Sequence, residues 1–342
     1  MRAAVIRQPN DLAVLDLPAP EVGDYDVLCE LLYGATCTGT DQHLIAGRFP
    51  WSVSYPTVLG HESVGRAIEV GPKVRHIRVG DLVTRVGTPP TPDGRYAVNW
   101  GGFAELGIAK DHWVMRADGL APAAWQPYRI NQLIPPEIDP RAATMIITWR
   151  ETLSFLTRMG VDQGATVLVV GSGGNGLSFA AHARHADAAQ VVMVGSARRQ
   201  AAAEAAGATG YVDYAAEDVA DRLRALCPSG FDFVIDAVGQ ADSANGALPH
   251  LRSGGTLGIY GIDDLAGCRI APHRARGTFT LFAGGYDEAE THAQVIDRMR
   301  DGRLDAWIWL DEDQIFDLED IHAAFDAVRE RRCVKALVAL KP

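Results

Sequence analysis

The sequence predicts an α/β protein of two domains, one rich in short strands and one a doubly wound parallel sheet, and three observations carry the prediction. The chain has 342 residues, more than one hydrophobic core usually serves. Its first stretch breaks into short apolar runs punctuated by Gly and Pro. From Ala165 to Tyr260 the texture changes, and strand-like runs alternate with helical spacing.

The elements follow in order. Ala3–Ile6, Val27–Leu32, Val64–Val70, Asp81–Val86 and Phe103–Ile108 are predicted strands, antiparallel and partly closed. Trp149, Leu153 and Leu156 recur at helical spacing and predict a helix over 148–159. The run 165–170 is almost continuously apolar, as a strand buried on both faces requires. Alternation then predicts strands at 191–194, 211–212, 231–236 and 256–260. Helices are predicted from about Gly176 and at 199–206, 217–226 and 241–251. The last segment lacks a βαβ pattern; helices at 293–300 and 319–329 and a strand at 335–340 are expected there, rejoining the first domain.

Gly171-Ser172-Gly173-Gly174-Asn175-Gly176 directly follows the apolar strand and precedes a helix, the context that gives a glycine loop meaning. Gly171 permits the tight turn, Gly173 allows backbone to approach a pyrophosphate, and Gly176 lets helix and strand pack closely. The helix N-terminus, from Gly174 and Asn175 on, then offers N–H groups and partial positive charge to phosphates. A site for the unphosphorylated dinucleotide places an acid about 20 residues on, to hold the ribose 2′-hydroxyl. Here the second strand ends in Gly195-Ser196-Ala197-Arg198-Arg199. A small Gly-Ser turn followed by arginines suits a 2′-phosphate, and NADP(H) is the expected cofactor.

Composition narrows the partners. The formal net charge is −11 with no Lys/Arg block, which argues against nucleic acid. No apolar run is long enough to span a membrane, and the N-terminal residues do not read as a secretory leader, so a cytoplasmic protein is expected. The five cysteines, Cys29, Cys37, Cys227, Cys268 and Cys333, are scattered without a CxxC pair. They support neither a disulfide framework nor a four-cysteine zinc site.

Two segments carry the chemistry: Cys37-Thr38-Gly39-Thr40-Asp41-Gln42-His43, and Gly60-His61-Glu62-Ser63-Val64-Gly65. Thiolate and imidazole are good zinc ligands, and a hydroxyl followed by histidine can pass a proton to solvent. With Val70-Gly71, Val79-Gly80-Asp81, the glycine loop, Asp236-Ala237-Val238-Gly239, Gly254-Gly255-Thr256 and Val334-Lys335-Ala336-Leu337, these segments resemble the medium-chain dehydrogenase/reductase superfamily, zinc-dependent alcohol and polyol dehydrogenase branch. The resemblance runs over nearly the whole chain.

It implies a GroES-like, partly open β-barrel catalytic domain (1–151 and 288–342) with a Rossmann dinucleotide-binding domain (152–287) inserted. It also implies an NADP(H)-linked exchange between an alcohol, leaning to a polyol, sugar or cyclitol, and its carbonyl. Cys37 and His61 would bind one catalytic zinc, Thr40 would hold the substrate hydroxyl, and His43 would continue the proton relay. Lys335 would lie near the cofactor phosphates, and Gly195, Ser196 and Tyr214 match NADP-binding members, Tyr214 flanking the adenine. The third zinc ligand would be Glu151, with Glu62 its rival and otherwise a partner of the metal site.

The chain departs from the family pattern in two places. Two residues, Thr38 and Gly39, separate Cys37 from Thr40 where one is usual, and Ile146-Ile147-Thr148 stands where an acid or cysteine is common. The segment 89–100, where relatives often carry a structural zinc, has no cysteine, so no structural zinc is expected. A homodimer or homotetramer joined through 277–282 is expected as well. The competing readings are a zinc-free NADPH quinone or enoyl reductase and a non-catalytic NADPH-binding protein; Cys37, His61 and the relay residues weigh against both. Trp51, Trp100 and Trp149 are candidates to line a substrate pocket.

Overall fold

A computed structural model describes residues 1–264 and 267–341. The chain divides into two compact units, Met1–Ile147 with the stretch from His292 onward, and Thr148–Thr291.

The first unit is built on two sheets. In the larger, strand order runs Ile315–Asp317, Leu337–Ala339, Asp26–Ala35, Glu62–Val70, Leu82–Thr84, Gln132–Ile134, with Leu106–Lys110 also paired to Asp26–Ala35. Asp26–Ala35 is the spine of this sheet, and buried side chains alternate along its first half, as a strand with one face on a core requires. Its register with Glu62–Val70 shifts between Leu28 and Cys29 and again between Leu31 and Tyr33. Such bulges bend and twist a strand, which lets the sheet curl. The smaller sheet, Asp11–Asp16, Arg2–Gln8, Thr57–Val58 and Ala97–Val98, contributes Ala3–Ile6 to the same core.

Phe103 is at the centre of that core, edge-on to Phe325 with ring centroids 6.1 Å apart. Burying a side chain of this size contributes about 1.5–3 kcal/mol. Its packing also explains the glycine that opens the second of the two chemical segments. A Cβ on Gly60 would lie 2.5 Å from the Phe103 nitrogen, and the φ of 96° is one that other residues rarely adopt. Gly60 therefore anchors the chain on Phe103 immediately before His61.

In the second unit all six strands are parallel, in the order Gly210–Asp213, Gln190–Gly195, Thr166–Val170, Phe231–Asp236, Leu251–Ile259, Thr280–Phe282. Numbered along this unit they read 3-2-1-4-5-6. The connections from Thr166–Val170 and from Phe231–Asp236 leave in opposite directions, so a crevice opens at the carboxyl ends of these two neighbours. One helix differs from expectation: 241–251 is helical only over Ala241–Ala247, and Leu248–His250 forms a 3-10 turn. Pro249 has no N–H to continue the α-helical ladder, and Leu251 already belongs to the next strand. No helix among the described residues is long and apolar enough to cross a membrane.

Candidate active site

Strand register in the first unit brings the chemical residues together. Ala35 pairs with Glu62 on one side and with Leu337 on the other. Continuing both antiparallel registers past Ala35 sets Cys37 between the Gly60-His61 step and Lys335. Three stretches far apart in sequence thus meet at one end of the sheet.

There the Cys37 sulfur, a His61 ring nitrogen and a Glu62 carboxylate oxygen all lie within 4.8 Å of one another, and all three residues are buried. Asp41, fully buried, organises the pair: one carboxylate oxygen accepts the Cys37 backbone N–H at 2.8 Å, the other lies 3.1 Å from His61 Nδ1. An acceptor there makes Nδ1 the donor and turns the Nε2 lone pair outward, 3.7 Å from Glu62 Oε1. Burial disfavours the charged imidazole, yet Asp41 and the Cys37 sulfur outweigh it and hold the His61 pKa well above its usual range. A soft thiolate, an imidazole with its second nitrogen braced, and a carboxylate make a donor set that fits zinc.

The extra residue between Cys37 and Thr40 has a clear role. Thr38 and Gly39 form a turn into the short helix Thr40–Ile45, and that turn carries the Asp41 carboxylate back to the Cys37 N–H. Thr40, half-buried, opens the helix; His43, one turn further along the same face, is buried with Nδ1 2.7 Å from the Gly39 carbonyl.

Glu62 is engaged by a residue that the sequence reading assigned to the cofactor. Lys335 Nζ donates to both Glu62 oxygens, at 2.6 and 2.5 Å, and to the Thr36 carbonyl at 3.3 Å. Burial would lower the ammonium's pKa, but Glu62 and Cys37 outweigh it and raise it. Glu151 lies in the other unit, on the helix Ile146–Met159, where its carboxylate accepts from the Tyr260 hydroxyl at 3.0 Å. The grouping of metal-capable side chains among the described residues contains Glu62 and not Glu151.

Aromatic side chains surround the cluster. Trp100, held at a φ of 65°, has its ring centroid 5.4 Å from that of His61 and packs edge-on against Phe49, which in turn contacts the exposed Trp51. Trp149 is fully enclosed within the helix that also carries Glu151.

The glycine loop of the second unit has the geometry that its sequence predicts. Gly171 turns at φ 106°, and a Cβ on Gly176 would lie 2.0 Å from the Gly171 carbonyl oxygen, so only glycine fits there. Gly173 precedes the helix Gly174–His185 in an extended conformation with no side-chain cap, which suits a phosphate at that terminus. Asn175 lies in its first turn.

At the end of the second strand, Ser196 N–H donates to the Ser172 hydroxyl at 3.1 Å and the Tyr211 hydroxyl donates to the Ser196 carbonyl at 2.7 Å. A side chain on Gly195 would collide with both partners. Arg198 and Arg199 follow in a one-turn 3-10 helix, and the exposed Tyr214 is tied by its N–H to the Gly195 carbonyl. The acid nearest in register is Asp213, opposite Gly195, and its carboxylate accepts the Ala215 N–H. Ser172, Tyr211 and Asp41 were given no role from sequence, although Ser172 and Asp41 lie inside the quoted segments, because each acts through a tertiary contact.

Comparison with known proteins agrees with this geometry. Residues 23–122 match the family described as alcohol dehydrogenase GroES-like domain, and residues 174–297 that described as zinc-binding dehydrogenase. The L-galactonate-5-dehydrogenase of Escherichia coli (strain K12) is 30% identical over 281 residues, 77% of this chain and 76% of the relative. The D-arabinitol dehydrogenase 1 of Uromyces fabae is 24% identical over 351 residues, 100% of this chain and 97% of that protein. A structure from Sinorhizobium meliloti 1021, assigned as a zinc-binding dehydrogenase and solved bound to NADP, superposes with a TM-score of 0.80 at 25% identity. It covers 99% of this chain and 98% of that one.

Proposed function

The chain belongs to the zinc-dependent alcohol dehydrogenase branch of the medium-chain dehydrogenase/reductase superfamily, and from that premise we propose that it interconverts a secondary alcohol of a polyol, sugar or cyclitol and its carbonyl with NADP(H) as the hydride carrier. The coarser activity, an NAD(P)-linked exchange between alcohol and carbonyl, comes with the family. The buried cluster of Cys37, His61 and Glu62 carries the zinc reading. The acid-free turn Gly195-Ser196 with Arg198 and Arg199 supports NADP, as does the NADP bound in the Sinorhizobium structure. The polyhydroxylated substrates named for the arabinitol and galactonate relatives support the substrate class.

Cys37 and His61 would hold a single zinc, with a carboxylate from Glu62 or Glu151 as third ligand. Bound there, zinc supplies Lewis-acid polarisation of the C–O bond while the nicotinamide exchanges hydride. The remaining work belongs to the protein. Asp41 keeps His61 in the tautomer that presents Nε2. Thr40 receives the alcohol proton at its hydroxyl and hands its own to His43, which passes a proton to solvent. Gly171, Gly173, Gly174, Asn175 and Gly176 seat the pyrophosphate, Gly195, Ser196, Arg198 and Arg199 the 2′-phosphate, and Tyr214 flanks the adenine.

The half-exposed Leu281 on the edge strand Thr280–Phe282 supports pairing of two copies along that edge. One experiment tests the core of the reading: metal analysis of the purified protein, with turnover of polyols, cyclitols and simple alcohols under NADP and NAD. Zinc near one per chain with faster turnover of a polyol under NADP is expected; undiminished turnover after exhaustive chelation refutes it.

A further inference from the structure

Glu62 is close enough to the Cys37 and His61 donors to be a ligand, yet both its oxygens are spoken for. The Lys335 ammonium has three N–H donors and three acceptors within reach, the two Glu62 oxygens and the Thr36 carbonyl. Both side chains of the pair are only 2% exposed, so no solvent shell competes for either. Lys335 is also fixed from its backbone: its N–H donates to the Trp309 carbonyl, and the next residue, Ala336, exchanges hydrogen bonds with Thr36. The backbone from which the ammonium reaches the carboxylate is thus held in place on both sides.

We propose that Lys335 is a positioning residue that withholds Glu62 from the metal, trading tightness of metal binding for electrophilicity at the substrate oxygen. The inference rests on the zinc reading above. Its logic is charge counting. Every anionic ligand lowers the net positive charge with which a divalent ion polarises an alcohol, and the Glu62 carboxylate would lower it by one unit more. By holding that carboxylate, Lys335 preserves the charge, and its own positive charge nearby further disfavours the cation. Both effects have the same sign, so loss of the ammonium should tighten metal binding.

The test reads metal release rather than turnover. Zinc-loaded protein is mixed with excess chromogenic chelator and release is followed by absorbance for wild type, Lys335→Met, Lys335→Arg, Glu62→Gln and the Lys335→Met/Glu62→Gln double variant, each checked by thermal melt. Lys335→Met should release zinc on the order of tenfold more slowly, the scale of effects seen when groups next to metal ligands are changed. Lys335→Arg keeps the clamp and should stay close to wild type. Glu62→Gln leaves the ammonium's charge uncompensated beside the metal and should release zinc faster than wild type. The double variant should lose the gain of Lys335→Met.

Lys335→Met releasing zinc as fast as wild type, or faster, overturns the proposal. So does a double variant that keeps the slow release of Lys335→Met, since the gain would then not come through Glu62. Should Lys335→Met not fold, Lys335→Gln, which also removes the ammonium, is read by the same two outcomes. Wild-type protein that takes up no zinc sinks the zinc reading itself, an outcome distinct from zinc-loaded protein indifferent to Lys335.

Discussion

Substituting Asp41 separates structural from metal-binding effects at one atom pair. The carboxylate is fully buried and makes two contacts, one to the Cys37 N–H and one to His61 Nδ1. Asp41→Ala removes both and leaves a buried N–H unpaired. A hydrogen bond to a charged group is worth about 1.5–3 kcal/mol, so losing two should cost about 3–6 kcal/mol of folding stability. Asp41→Asn keeps an oxygen for Cys37 and should cost far less stability. It turns an amide N–H₂ toward His61, however, which favours the tautomer with the proton on Nε2, where the metal needs a lone pair. Zinc affinity should then fall about 10–100-fold, or about 1.4–2.7 kcal/mol. Equilibrium competition with a zinc-selective dye measures the affinity and urea unfolding of the metal-free forms the stability. If Asp41→Asn binds zinc as tightly as wild type, the tautomer argument is wrong.

Three further outcomes are expected. The double variant Arg198→Ala/Arg199→Ala should bind NADPH about 10–100-fold more weakly and leave NADH unchanged, by fluorescence titration; equal losses for both cofactors would remove the arginines from the 2′-phosphate. Leu281→Lys, placing a charge on the exposed edge strand, should shift the protein toward monomer in light scattering, and an unaltered assembly would place the interface elsewhere. Burial lowers the pKa of His112 from 6.5 to about 4, so the folded chain resists a proton that the unfolded chain accepts. That contribution to stability is complete above pH 6.5 and is lost as pH falls toward 4. Urea titrations of His112→Asn should show a shallower decline over this interval than wild type, and parallel curves would contradict it.

What could be read from the sequence was what local chemistry dictates. The glycine loop was legible because strand, turn and helix are contiguous, and the clash of a Gly176 Cβ with Gly171 is a local fact. The strand 231–236 was legible from its apolar run, whereas the helix 241–251 was overdrawn because helical composition continues past Ala247 and the break depends on Pro249. Cys37, His61 and Glu62 were recognisable by type, but their convergence is a matter of register. Lys335 is the plainest case. It lies 273 positions from Glu62, and the family resemblance implies a basic residue near the cofactor phosphates at that place. Only the pairing of Leu337 with Ala35 shows its ammonium committed to a carboxylate. Asp41 went unread for a similar reason: its value depends on the turn at Thr38-Gly39, which in sequence looked like an insertion.

The larger sheet of the first unit also dictates an order of events during synthesis. Along one side of Asp26–Ala35, the early residues pair with Leu106–Lys110, and the late ones, next to Cys37, pair with Leu337–Ala339. That second partner is made about 300 residues later. A growing chain completes the second unit, whose strands all lie within 166–282, while this portion of the sheet still lacks its neighbour. Until residues 335–339 have been made, the backbone beside the thiol is an open sheet edge, and Glu62 has no ammonium to meet it. The catalytic unit therefore carries an unpaired strand edge for longer than the nucleotide unit does, and that edge is the stretch of backbone most open to mispairing before the last strand arrives.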